Sequence, residues 1–326
     1  MNNKWARIQI KKTKYIIRLA QVSIVLALLC GLCGAATIIN DASTEVPFSF
    51  EKGLVVVKAK IKKDILVEVV IATGSQYSIA DSELLKKYKV PIDSRGAERP
   101  PILFTDLYGP IPDFVSVPDV SVGTAKTSSL SMGLGSTLQL SKAAGREIFA
   151  ILGADFLKGR VVQVDFKNRV IRFFDHSLSE LSRDKDEAAL LTRRIILPMN
   201  ESDDPLHLNL PTPAVVNATF NGKTARMLLN TGMITVVALS SSAAKKLGFT
   251  IPTEKSSPGS VRIASLRLGT YELNDVPVVV AAKGTSIDQT LEQYGGAAAG
   301  SLFLQNFIVT FDFRSKVVIL ERADAR

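Results

Sequence analysis

The feature that most limits what this chain can fold into is an internal duplication. Residues 151–173 run Ile151, Leu152, Gly153, Ala154, Asp155, Phe156, Leu157, then Val161, Val162, Val164, Asp165, Phe166 and, past a basic turn, Val170 and Ile171. At a constant offset of 147, residues 298–320 repeat the pattern as Ala298, Ala299, Gly300, Ser301, Leu302, Phe303, Leu304, then Ile308, Val309, Phe311, Asp312, Phe313, Val317 and Val318. Upstream, Gly123 and Leu130 lie over Gly269 and Val276 at an offset of 146, and Ile71-Ala72-Thr73-Gly74 lies over Leu229-Asn230-Thr231-Gly232 at 158. The landmarks keep their order while the loops between them change length, as in two copies of one unit. A chain of 326 residues has room for two cores of roughly 130 residues each.

Each copy reads as mostly β. Ile65, Val67, Val69 and Ile71 alternate with Leu66, Glu68 and Val70, the period of a strand, and Asn221-Gly222 between two such runs is a hairpin signal. The apolar strand stops at Thr-Gly in both halves, where glycine permits a turn. Ser82 to Tyr88 and Ser240 to Leu247 then predict one short helix per half, with serine available as a cap and the lysine pairs 86–87 and 245–246 on solvated faces. Residues 176–194 are rich in charge, lack alternation and form a linker, which divides the chain into lobes at 46–175 and 195–323.

The formal charge of +9 is concentrated at the start: Lys4, Arg7, Lys11, Lys12, Lys14 and Arg18 stand in a stretch without acids, and the rest of the chain carries +3. So balanced a body, with no basic run interleaved with aromatics, excludes a nucleic-acid partner. Behind the basic residues comes an apolar run from Leu19 to Ile39. Gly34, Ala35 and Ala36 suit a cleavage site after Ala36, which makes residues 1–39 a signal peptide. The same run, about 30 Å long as a hydrophobic helix, also suffices for one membrane crossing. Both alternatives place the body outside the cytoplasm, periplasmic or extracellular, secreted or anchored to the membrane. Cys30 and Cys33 are the only cysteines and lie in this run, without partner ligands for redox or metal chemistry.

An apolar strand ending in residue-Thr-Gly, a short helix and a later apolar-apolar-Gly-x-x-Phe-Leu segment together resemble the retropepsin-like and pepsin-like aspartic peptidases. The resemblance covers most of residues 46–323, twice, and is sharper at Ile151 to Leu157 than at Ala298 to Leu304. It implies an all-β fold of two pseudo-symmetric closed β-barrel lobes, preceded by one N-terminal hydrophobic helix, with an extended substrate lying in the cleft between them. It also implies a catalytic aspartate from each lobe, the two sharing a proton so that one acts as base on a water and the other as acid. The turn residues Thr73, Gly74, Thr231 and Gly232 match, as do Gly153 and Gly300. The aspartate positions do not: they hold Ala72 and Asn230. Alanine has no functional group, and an amide is too weak a base to activate water near neutral pH.

Other carboxylates offer no obvious replacement. Asp165 and Asp312 are equivalent in the two copies, as a structural turn role would produce, Asp155 reads as a helix start, and alternation sends Glu68 away from Ile71; Asp81 lies near the turn in sequence. His176 and His207 have no cysteine partner or repeated spacing, so neither a metal nor any other cofactor is expected. Gly295-Gly296 lacks the Lys-Ser/Thr of a phosphate loop and reads as a mobile approach to Gly300. The family's covering flap corresponds to residues 95–114, with Leu103, Phe104 and Tyr108 as its apolar tip. Prolines 100, 101, 110 and 112 argue against a regular hairpin there, and the second half has only the shorter segment 255–264. The expected function is an inactive peptidase homologue that binds an extended peptide or protein partner in the cleft, with the membrane as a further partner if the leader is retained. The alternatives are an endopeptidase with a non-standard site and a structural module of the envelope.

Overall fold

The computed structural model describes residues 44–95, 97, 104–106, 109–111, 113–174, 194–200, 211–249 and 259–322. The leader, nearly all of the linker, Leu103, Tyr108, His176 and His207 lie outside the described residues.

The first lobe contains β1 (Thr44–Glu51), β2 (Leu54–Ile61), β3 (Ile65–Ile71), β4 (Ile79–Asp81), α1 (Ser82–Lys87), β5 (Phe104–Asp106), β6 (Gly109–Ile111), β7 (Phe114–Val122), β8 (Ala125–Gly135), α2 (Leu138–Ala144), β9 (Ala150–Leu152), α3 (Ala154–Leu157), β10 (Val161–Asp165) and β11 (Val170–Phe174). The second contains β12 (Arg194–Pro198), β13 (Val215–Phe220), β14 (Lys223–Asn230), β15 (Val237–Leu239), α4 (Ser241–Leu247), β16 (Gly259–Leu268), β17 (Tyr271–Val280), α5 (Ser286–Gln293), β18 (Gly296–Gly300), α6 (Ser301–Leu304), β19 (Phe307–Asp312) and β20 (Val317–Arg322).

Each lobe closes a six-stranded barrel, and the two correspond strand by strand. The first runs β2-β3-β9-β4-β8-β7 and closes where Lys60 of β2 pairs with Ser121 of β7. The second runs β13-β14-β18-β15-β17-β16 and closes where Phe220 pairs with Leu266. Alternation in β3 resolves as its sequence predicts. Val67, Val69 and Ile71 enter the main core, while Val70 on the other face joins a small cluster with Leu140 and Ile148 under α2. Gly123 and Gly269 take up left-handed backbone (φ 57° and 56°) in the hairpins β7–β8 and β16–β17, each pressed by an apolar side chain of the neighbouring strand, Val46 or Ile195.

A six-stranded antiparallel sheet, β12-β20-β19-β10-β11-β1, ties the lobes together. At its centre β10 pairs with β19 so that Gln163 faces Thr310, which are the same position in the two copies. The pseudo-two-fold axis passes between them, and Gln163 Nε2 donates to Thr310 Oγ1 at 3.1 Å.

Four local features differ from the sequence expectation. Each lobe has three short helices among the described residues rather than one; α2 and α5 cover outer barrel faces whose apolar residues alternation alone left unassigned. The cap of α1 is Asp81, whose Oδ1 accepts from the amides of Glu83 and Leu84, both at 3.0 Å, whereas Ser240 caps α4 as expected. Residues 296–300 are a fully buried barrel strand, not a mobile approach, and its end glycines have no room for a side chain: Gly296 lies against Ala243 and Gly300 against the carbonyl oxygens of Met233 and Thr235. Finally, β5 and β6 form a regular three-residue ladder despite Pro110. The pair beyond the one closing a two-residue loop exchanges no hydrogen bonds, so the missing N–H of Pro110 opposite Thr105 is tolerated.

Candidate functional site

Strands β3 and β14 carry the two Thr-Gly turns to the lobe interface, where they interlock. Thr73 Oγ1 donates to Leu229 O at 2.7 Å and accepts from the amide of Thr231 at 3.2 Å. Reciprocally, Thr231 Oγ1 donates to Ile71 O at 2.6 Å and accepts from the amide of Thr73 at 3.2 Å. Both threonines are fully buried. Four buried hydrogen bonds therefore cross the interface in two equivalent pairs, leaving no polar atom of either hydroxyl to water.

The interlock sets residues 72 and 230 against opposite turns. A Cβ on Gly74 would lie 2.5 Å from Asn230 Cβ, and one on Gly232 would lie 2.6 Å from Ala72 Cβ, so any larger residue at either glycine would push the lobes apart. Asn230 Oδ1 accepts from the amide of Gly232 at 2.8 Å and, more weakly, from that of Gly74 at 3.4 Å. Two backbone donors aimed at one side-chain atom identify it as the oxygen. The amide nitrogen Nδ2 lies beside Gly74, with no hydrogen-bond partner among the described residues. On the other side Ala72 contributes a methyl group. The centre thus offers a hydrogen-bond donor beside an apolar wall and no group that takes a proton from water.

Behind each turn runs the Gly-x-x-Phe-Leu segment. A Cβ on Gly153 would meet the backbone of Ser75 and Tyr77 at 2.8 Å, and one on Gly300 would meet the carbonyl oxygens of Met233 and Thr235 at 2.4 and 2.6 Å. Both positions require glycine because backbone, not a yielding side chain, occupies the space.

The carboxylates near the turns are engaged in hydrogen bonds or ion pairs with neighbouring groups. Asp155 accepts from the amide and hydroxyl of Ser78 at 2.8 and 2.6 Å and from the amide of Phe156 at 2.7 Å. Burial pushes its carboxyl up to about 6 against these hydrogen bonds, which pull it down. Glu68 pairs with Arg146 at 3.2 Å, Asp165 accepts from Asn168, and Asp312 accepts from the amides of Arg314 and Ser315. Asp81 also receives the Thr137 amide at 2.8 Å. Among the described residues no group of three or more His, Cys, Asp or Glu could hold a metal.

Ser78 is the position that the sequence reading passed over. Its hydroxyl accepts from the amide of Gly153 at 3.0 Å while donating to Asp155, so it locks the turn to the segment behind it. The signal lay in the duplication: at the same offsets the second copy has Val236 and Leu302, an apolar pair where the first has a polar one. The backbone of β5 lies next to α5 of the second lobe.

Comparison with known proteins agrees with this architecture. A family model described as aspartyl protease matches residues 216–291, in the second lobe. The structure of the aspartic proteinase from Irpex lacteus superposes with a TM-score of 0.50 at 12% identity, covering 86% of this chain and 98% of that one. No curated protein sequence matches. With both barrels, the joining sheet and the interlocked Thr-Gly turns on the same plan, the chain has an aspartic-proteinase-like fold of two lobes.

Proposed function

We propose that this protein is a peptidase homologue that binds an extended peptide or a partner's extended segment between its lobes, outside the cytoplasm, without cutting it. The observation that carries the reading is the pair at the centre: Asn230 held by the amides of Gly232 and Gly74, facing the methyl of Ala72. An aspartic mechanism needs two carboxylates sharing a proton at these positions. A fixed Nδ2 donor instead suits a peptide carbonyl, which can accept from it directly, while strand-like backbone bonds hold the rest of the guest. The intact cross-lobe interlock supports a cleft that is still maintained.

The decisive experiment pairs the natural protein with the Ala72→Asp/Asn230→Asp double variant on a peptide library from acidic to neutral pH. The natural protein is expected to cleave nothing, and the double variant to gain weak cleavage confined to acidic pH. Cleavage by the natural protein that survives Asn230→Ala but disappears when another carboxylate is removed would overturn the proposal in favour of an active endopeptidase. A second reading, a closed structural module, is favoured by the backbone of β5 lying against α5. A protein that retains no peptide from the library by affinity capture, but does so once β5–β6 is deleted, would fit that reading better.

A further inference from the structure

The end of the first barrel farthest from the Thr-Gly turns carries a lysine surface that the cleft does not use. Lys58 and Lys60 stand exposed on the outer face of β2, while Val57, Ala59 and Ile61 fill the barrel. Lys60 pairs across β3 with Leu66, which is 54% exposed, and across β7 with Ser121, whose partner on β8 is the exposed Lys126. The loop joining β2 to β3 adds Lys62 and Lys63, both exposed and both in left-handed backbone (φ 47° and 66°). The matching turn of the second lobe uses Asn221-Gly222, residues that adopt this conformation readily. Lysine adopts it less readily, although Lys52, Lys89 and Lys316 of this chain also do so.

Little opposes this charge. Asp64 and Asp119 are the nearby acids, Glu68 is taken by Arg146, and no ion pair is recorded for Lys58, Lys60, Lys62, Lys63 or Lys126 among the described residues. The described chain also begins at this end: Thr44 Cγ2 lies 3.7 Å from where a Cβ on Gly123 would be, two residues after Ser121. Strand β3 alone separates the lysine loop from Ala72 by roughly 20 Å.

We propose that this face seats on an anionic lipid surface, its ammonium groups among headgroup phosphates and Leu66 at the interface, so that the cleft is turned away from the membrane. Lysine stems lie along an interface while their charges reach the phosphates. A single exposed leucine at the centre, with no exposed aromatic side chain on these strands to stack a base (Phe114 of β7 is buried), fits lipid rather than nucleic acid. The 21-residue apolar run that precedes this end of the lobe brings it to a membrane whether as anchor or during export. The inference stands apart from what the cleft holds.

The test uses the compact body from Ala42 to Arg326, which closes both barrels with its own strands, with circular dichroism to check that each variant is folded. Co-sedimentation with phosphatidylcholine vesicles is compared with vesicles that also contain phosphatidylglycerol. Binding is expected only to the latter and is expected to fall as salt rises. Lys58→Glu/Lys60→Glu is expected to weaken it roughly tenfold or more. The charge-matched Lys245→Glu/Lys246→Glu on α4 should leave it nearly unchanged, and Leu66→Ser should lower it while keeping the salt dependence. Absence of phosphatidylglycerol-dependent binding, or equal losses in the two double variants, overturns the proposal. Capture of soluble polyphosphate without vesicle binding would overturn it in favour of an acidic polymer.

Discussion

The two lobes share a backbone plan to the level of single hydrogen bonds, yet they fasten the turn at their centre differently. In the first lobe the amide of Gly153 is received by a side chain, Ser78 Oγ, which is itself fixed by Asp155. In the second the amide of Gly300 is received by a backbone oxygen, Val236 O, at 3.1 Å, and Leu302 stands where the carboxylate would be. The symmetry is kept in the threonine interlock and in the backbone contacts, and is given up at the fastening behind the turn. A hydrogen-bonded polar pair and a packed apolar pair are interchangeable solutions to one local problem, because a satisfied buried polar group gives little net advantage over a well-packed apolar one.

The comparison can be broken most severely at the two glycines. Gly300→Ala would drive a methyl into two carbonyl oxygens, while Gly153→Ala meets backbone at a slightly longer distance. Both are expected to lose about 3 kcal/mol or more in urea unfolding, with Gly300→Ala the worse. Equal tolerance of the two would show that the second lobe yields as easily as the first.

Next come the interlocking threonines. Thr73→Val and Thr231→Val each strand a carbonyl oxygen and an amide of the opposite lobe. Each is expected to cost about 1–3 kcal/mol, in nearly equal amounts, and the double variant should cost less than their sum. A clear inequality between the two single variants would mean that the interlock is not symmetric in energy.

Smaller, and confined to the first lobe, is a pH effect. The folded Asp155 carboxyl keeps its proton up to about 6 against an ordinary 3.8, so unfolding releases a proton between those values and stability falls as pH rises through that window. The fall is expected to be about 1–2 kcal/mol between roughly pH 4 and 6, read from thermal or urea midpoints, and Asp155→Asn should flatten it. A slope that survives Asp155→Asn would place its origin elsewhere. Least of all, Gln163→Ala removes the hydrogen bond to Thr310 at the axis and one accepted from Arg172, both partly exposed, and should cost about 1 kcal/mol.

Much of the fold was legible because duplication doubles every signal. The Thr-Gly turns, the Gly-x-x-Phe-Leu segments and the strand carrying Ile65 to Ile71 each had a partner against which to check spacing. What stayed hidden had no such partner, or had a signal that periodicity does not carry. Asp81 as a cap was masked by the neighbouring Ser82, which looked equally suitable. The strand Gly296–Gly300 reads as loose because small residues signal flexibility in sequence, whereas here they mark close approach of Ala243 and of the backbone at Met233 and Thr235. At the site itself, the substitutions at 72 and 230 were readable, but the direction of the Asn230 amide was not. It depends on two backbone donors, one from each lobe, that only folding brings together.

The pairing of β10 with β19 has a consequence for any attempt to divide the molecule. Because Gln163 faces its own equivalent, Thr310, the edge that each lobe offers is one that a second copy of the same lobe can meet. The first lobe made alone, without its partner, would carry β10 as an open edge, and two such lobes can close it on each other with Gln163 opposite Gln163. Cutting the chain between its lobes would therefore not yield a monomer.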